Sequence, residues 1–147
     1  MARFSYTSFL DHMQPDAQYV GSPDNTTVYG SGVDMTGYSG VVFIATVAKG
    51  EIATYSLKAQ QDTDAAYGTA ADLTGTAVSF AIAVATDGFA FLEIQDPQER
   101  YVRPALVAPD VATARQASIV AIRYGKARGQ DTNSDGEKHV MPAEGTA

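Results

Sequence analysis

The most regular hydrophobic pattern in the chain lies between residues 53 and 61, where Ala53, Tyr55, Leu57 and Ala59 alternate with Thr54, Ser56, Lys58 and Gln60. Side chains on a strand point alternately to opposite faces, so this period of two predicts a strand with one face on a core and one in water. An acidic turn at Asp62-Thr63-Asp64 closes it. The run GVVFIATVAKG (40–50) is β-branched and aromatic, bounded by glycines, and long enough for a strand covered on both faces. Lys49-Gly50 follows as a tight-hairpin candidate leading into the strand at 53. Between Ala77 and Ala85 a bulky row (Val78, Phe80, Ile82, Val84) alternates with a small one of alanines and Ser79. Alanine favours a helix, but strict alternation with β-branched residues predicts a strand.

Thr86-Asp87-Gly88 reads as a hairpin turn into a strand from Phe89 to Gln95, and Asp96-Pro97-Gln98-Glu99 as a further turn. RYVRPALVA (100–108) is again strand-like, and Pro104, which has no amide to donate, places it at a sheet edge or on a bulge. Ala114 to Tyr124 is the last strong strand, centred on Ile119, Val120 and Ile122. The turn formers GSPDNT (21–26) mark the start of the body. Ahead of them, residues 1–20 read as an N-terminal arm. There Phe4, Phe9, Leu10 and Met13 form an apolar stripe on a short helix ended by Pro15, or else a strand or loop packs on its own domain. Past Gly125 the sequence KARGQDTNSDGEKHVMPAEGTA lacks apolar content and period, so 126–147 is expected to be a flexible tail. About seven short, evenly spaced strands with turn signals between them predict an all-β fold. The expectation is a single β-sandwich or jelly-roll-like domain over 21–125, without internal repeats.

Composition narrows the function classes. At 147 residues the chain is one ordinary domain; 45 % of it is apolar and only 18 % charged, which fits a protein with much surface facing protein. A net charge of −7 and a pI near 4.6 argue against nucleic acid as a partner, because binding phosphates requires cationic surface. There are no cysteines, which removes disulfides, zinc thiolates and cysteine nucleophiles. No apolar run is long enough for a membrane helix, and Asp11 and His12 interrupt the stretch where a secretion signal would need continuous apolar residues. Asn25-Thr26-Thr27 matches a glycosylation acceptor, which means nothing without a secretory route.

Reactive chemistry is sparse. His12 lies in the arm and His139 in the tail, poor places to hold a general base rigidly. Asp131, Asn133 and Asp135, with Gly136, resemble the first half of a calcium loop, but loop position twelve is Pro142 where a bidentate acid is required. An Asx-rich turn is the other reading. Gly30-Ser31-Gly32 and Gly37-Tyr38-Ser39-Gly40 match no phosphate-binding fingerprint and read as turns. Arg100, Tyr101 and Arg103 form the most notable polar cluster, with Arg100 and Val102 on one face of their strand and Tyr101 and Arg103 on the other. Such arginines are rim residues or intramolecular ion-pair partners, or Arg103 reaches an acidic group on a neighbouring subunit. The eight tyrosines suit contact surfaces. The small face carrying Ala81 and Ala83 is too apolar for free solvent, which suggests a self-association seam. The interface candidates are therefore Phe4, Phe9, Leu10, Met13, Ala81, Ala83, Arg100, Tyr101 and Arg103. No acid, base and nucleophile can be assembled into a catalytic set, so no enzymatic activity and no cofactor are expected.

The stretch GYSGVVFIATVAKGEIATYSLKAQQDTDAAYGTAADLTGT, followed by ERYVRPALV, resembles a family of small proteins in the head-gene clusters of tailed phages and prophages. The shared plan is a VVFIATVA-type strand, a strand ending in a Gln-x-Asp-type acidic turn, a short aromatic segment, a Leu-Thr-Gly-Thr turn and a later RYVR strand, over residues 37–125. The resemblance implies a capsid decoration, or cement, protein made in the bacterial cytoplasm. It would be a compact β body, often trimeric, on the outer surface of the head at local three-fold positions, with extended termini clamping the major capsid protein. Its implied partners are that protein and further copies of itself, with no nucleic acid and no membrane. The chain departs from the family's pattern in carrying alanine where an aromatic is common beside the acidic turn, and in its long C-terminal tail. The other reading is a head-fibre, tail-associated or host-glycan adhesion module using Tyr19, Tyr29, Tyr38 or Tyr67 as platforms.

Overall fold

The structure is a computed structural model that describes residues 13–125. Its elements are β1 (Gln14–Gly21), β2 (Thr27–Tyr29), β3 (Val33–Asp34), β4 (Gly40–Val47), β5 (Ala53–Asp62), β6 (Ala71–Asp72), β7 (Val78–Ile82), β8 (Gly88–Gln95), β9 (Tyr101–Val107) and β10 (Ala117–Tyr124). They form two antiparallel sheets: β1-β10-β4-β8, and a second in which β9 pairs with β2, β3 and β5, and β5 also pairs with β6 and β7. The fold is all-β, a sandwich, and no helix occurs among the described residues.

The core lies between the inward rows. Val41, Phe43, Ala45 and Val47 of β4 and Ile119 and Ala121 of β10 face Tyr55 and Leu57 of β5 and Val102 and Leu106 of β9, all of them buried. Burying each of the larger of these side chains stabilises by about 1.5–3 kcal/mol. The alternation at 53–61 is seen as expected, with Ala53, Tyr55, Leu57 and Ala59 inward.

Several local readings change. Of the two readings of residues 1–20, the strand packed on its own domain is the one seen at 14–21, which is β1, paired with β10 along its length; residues 1–12 lie outside the described ones. Met13 is not helical, and Pro15 sits within the strand opposite Ile122. Phe4, Phe9, Leu10 and His12 lie outside the described residues. Lys49-Gly50 is not a hairpin: both edges of β4 are occupied, by β10 and β8, so the chain crosses to the other sheet before β5 begins. The reversal placed at Thr86-Asp87-Gly88 occurs earlier. Ala83 and Thr86 exchange both backbone hydrogen bonds around Val84-Ala85, and the chain then changes sheets.

β4 is not covered on both faces. Val42 and Ile44 are half-buried and Thr46 is exposed on its outer side. β9, expected at an edge or on a bulge because of Pro104, is an interior strand. Pro104 is tolerated because the neighbouring chain is passing from β2 to β3 at that point. Gly30 donates its amide to the Pro104 carbonyl at 2.9 Å, and Pro104 lies between the segments of β9 that pair with β2 and β3. The missing N–H therefore costs no ladder bond.

Candidate functional site

The sandwich has two outer faces of opposite character. On the second sheet, β9 sends Tyr101 and Arg103 outward beside Gln60 and Asp62 of β5. The loop 63–70 folds back over this face, and one carboxylate holds it there. Asp62, 1 % exposed, accepts from the Asp64 amide at 3.0 Å, the Thr69 amide at 2.9 Å and the Thr69 hydroxyl at 3.1 Å. These bonds, that of the Asp64 amide foremost, hold its carboxyl below the usual carboxylate range. The loop delivers Tyr67 in the left-handed region, φ 54°, which is uncommon for a non-glycine residue. Its hydroxyl approaches Gly32 (φ 80°) so closely that a β-carbon there would collide with the ring. Burial pushes the Tyr67 phenol up to about 12.

Arg103 is the centre of this cluster. Its guanidinium carbon lies 4.2 Å from the Tyr29 ring centroid and 4.6 Å from that of Tyr67. Its Nε and Nη2 both donate to Gln60 Oε1, at 2.9 and 2.8 Å. Gln60 in turn donates to Asp72 Oδ1 at 2.6 Å, and Lys58 bonds Asp72 Oδ2 at 2.7 Å. Tyr101 packs edge-on to Tyr67, ring centroids 6.5 Å apart, and Arg100 lies 5.0 Å from the Tyr101 centroid.

Arg100 is an intramolecular ion-pair partner: its Nε and Nη2 grip the two Asp34 oxygens at 3.0 and 2.7 Å. It does not share the inward face with Val102, which is fully buried; Arg100 is exposed ahead of the strand. Its guanidinium holds the Asp34 carboxyl well below the usual carboxylate range. Asp34 and Asp62 both titrate lower folded than the value near 4 of an unfolded chain, so each contributes stability that is complete above that value. That contribution is lost as the pH falls from about 4 toward the folded values. Urea midpoints are therefore expected to drop between pH 7 and pH 3, and the drop should be smaller in Asp62→Asn.

The outer face of the first sheet carries an apolar patch, with Glu93 and Gln95 at its other end. The register places Phe91, Ile44, Val120 and Ala17 in one row across β8, β4, β10 and β1; Phe89, Thr46, Ser118 and Val20 form the next. Val20 is 72 %, Phe91 61 %, Phe89 58 % and Val120 39 % exposed, and the two phenylalanine rings lie 6.4 Å apart. Ile52 and Val84 are also exposed. They lie in the crossovers at the Phe89 end of the sandwich, where the Gly50 amide donates to the Ala83 carbonyl.

The seam expected at Ala81 and Ala83 is a smaller feature. Ala81 is exposed on β7, whose bulky residues Val78, Phe80 and Ile82 turn inward as expected, but Ala83 is half-buried and Val84 points into solvent at the turn tip. Tyr19 packs on the core and Tyr38 lies under Arg123, at 4.5 Å, so these rings do not form open platforms. Among the described residues no group of three or more His, Asp or Glu side chains is placed to hold a metal ion; Asp131, Asn133 and Asp135 lie outside them. No protein-family model matches the chain, and no curated protein matches it either.

Proposed function

We propose that this is a structural protein of a tailed-phage virion, a capsid decoration protein that seats its apolar sheet face on the outer surface of the head and acts without catalysis. The observation that carries the reading is that face: Phe89, Phe91, Val20 and Val120 are exposed on a sandwich whose core is complete without them. Four strands of eight residues present roughly 500 Å² on one side. Glu93, Gln95, Thr46 and Ser118 share that side, so the apolar patch is a part of it, and a contiguous exposed patch rimmed by polar residues marks an interaction site. A stable free-standing pair needs about 800 Å² from each partner. A face of this size suits an occupant met on a lattice, where several modest contacts add once the first has formed. The resemblance over residues 37–125 supplies the occupant, the major capsid protein, and the trimer as the unit that docks.

Light scattering of the purified protein, together with co-sedimentation on expanded and unexpanded heads, tests this. Trimers that load saturably onto expanded heads are the expected result. A strict monomer that stays in the supernatant overturns it.

A further inference from the structure

We propose that Arg103 is a receptor for a carboxylate, an aspartate or glutamate side chain presented by a partner protein, which it grips through the free Nη1/Nη2 edge of its guanidinium. Three of the described arginines lie over tyrosine rings: Arg100, Arg103 and Arg123. Arg100 is paired with Asp34 and Arg123 with Asp16, at 3.0 Å, whereas Arg103 has no carboxylate partner among the described residues. The carboxylates around it are engaged elsewhere, Asp72 by Lys58 and Gln60, and Asp62 by its own loop.

What Arg103 has instead is a neutral anchor. Gln60 is 9 % exposed, and its amide nitrogen is committed to Asp72, so its oxygen must face the guanidinium. An amide oxygen can orient an arginine without cancelling its charge, which a glutamate in the same place would do. The Nε/Nη2 edge is fixed on that oxygen, and the Tyr29 and Tyr67 rings hold the guanidinium. Rotamer freedom normally lost on binding is thus already lost in the folded protein. Three N–H groups remain. Arg103 is half-buried, and its Nη1 is not fully enclosed by the described residues.

The Nη1/Nη2 edge presents two parallel donors, which match the two oxygens of a carboxylate. One unneutralised cation at this site, on a chain of net charge −7, favours a monoanion over a phosphate dianion.

The test uses the full chain with 13C-labelled tyrosine rings and no capsid, so its outcome is separate from that of the head-binding experiment. Acetate is titrated in place of chloride at constant ionic strength. A saturable shift of the Tyr29 and Tyr67 ring signals is expected, with a Kd on the order of millimolar, as one bidentate contact supplies. Arg103→Lys keeps the charge but not the fork, and should weaken binding about tenfold or more. Methyl phosphate should bind more weakly than acetate. A linear, non-saturating acetate response in the wild type overturns the proposal even if the lysine variant does not fold. Equal binding by a folded Arg103→Lys, or tighter binding of methyl phosphate, overturns it too.

Discussion

Tyr55→Ala is expected to lower the unfolding free energy by about 3–5 kcal/mol, whereas Tyr55→Phe should change it by no more than about 1 kcal/mol. The ring is fully buried on the inward side of β5, stacked on Phe80 with centroids 6.0 Å apart and an interplanar angle of 28°. Its hydroxyl has no hydrogen-bond partner among the described residues, and burial pushes its pKa up. Truncation to alanine therefore removes ring packing at the middle of the second sheet and leaves a cavity. Removal of the oxygen alone takes away a group that contributes no bond. Since a domain of this kind is stable by about 5–15 kcal/mol, the alanine variant should be partly unfolded at modest urea concentrations. Urea melts of the three proteins decide it. A loss below about 1 kcal/mol for the alanine variant would remove Tyr55 from the core, and a loss above about 2 kcal/mol for phenylalanine would give the hydroxyl a partner.

The alternation that makes Tyr55 readable from sequence works where one face of a strand meets an apolar core. It fails at β1 for a physical reason. The inward positions there carry Gln14, Asp16 and Gln18, so no apolar period exists. Asp16 is held by Arg123, and Gln18, at a β-bulge, accepts the Gly32 amide at 2.7 Å. A strand stabilised by polar bonds at the margin of a sandwich is invisible to a hydrophobic pattern. The hairpin expectations at Lys49-Gly50 and Thr86-Asp87-Gly88 fail differently. Turn chemistry marks where a chain bends, not which sheet it joins next.

The sites were legible in part. The acidic turn at Asp62 is visible in the sequence, but its consequence is not, because it depends on Tyr67 adopting φ 54° and arriving over Arg103. The sequence places Gln60 only on the polar side of its strand, because its partner Arg103 is 43 residues away. On β8 the sequence misleads by size. In Gly88-Phe89-Ala90-Phe91 the small residues face the core and the phenylalanines face water, because Ile82 and Phe80 already fill the space beside Gly88.

That inversion is what the decoration reading depends on, and the double substitution Phe89→Ser, Phe91→Ser is expected to abolish retention on heads while leaving the fold intact. Both rings are more than half exposed, so little core burial is lost, and urea stability should move by less than about 1 kcal/mol. On docking, each ring removed from water contributes about 1.5–3 kcal/mol at most. The pair, already partly covered, should contribute some 2–4 kcal/mol per copy, and at 1.4 kcal/mol per decade this is a factor of roughly 30 to 1,000. In a trimer the deficit recurs at each contact, since later contacts multiply the effect of the first, so a modest local loss becomes complete release. Co-sedimentation with expanded heads, run beside a urea melt, separates the two effects. Wild-type loading by a stably folded double variant would show that this face is not the seat, whatever else the protein binds. Loss of loading with an unchanged melt would tie attachment to the two outward rings of β8.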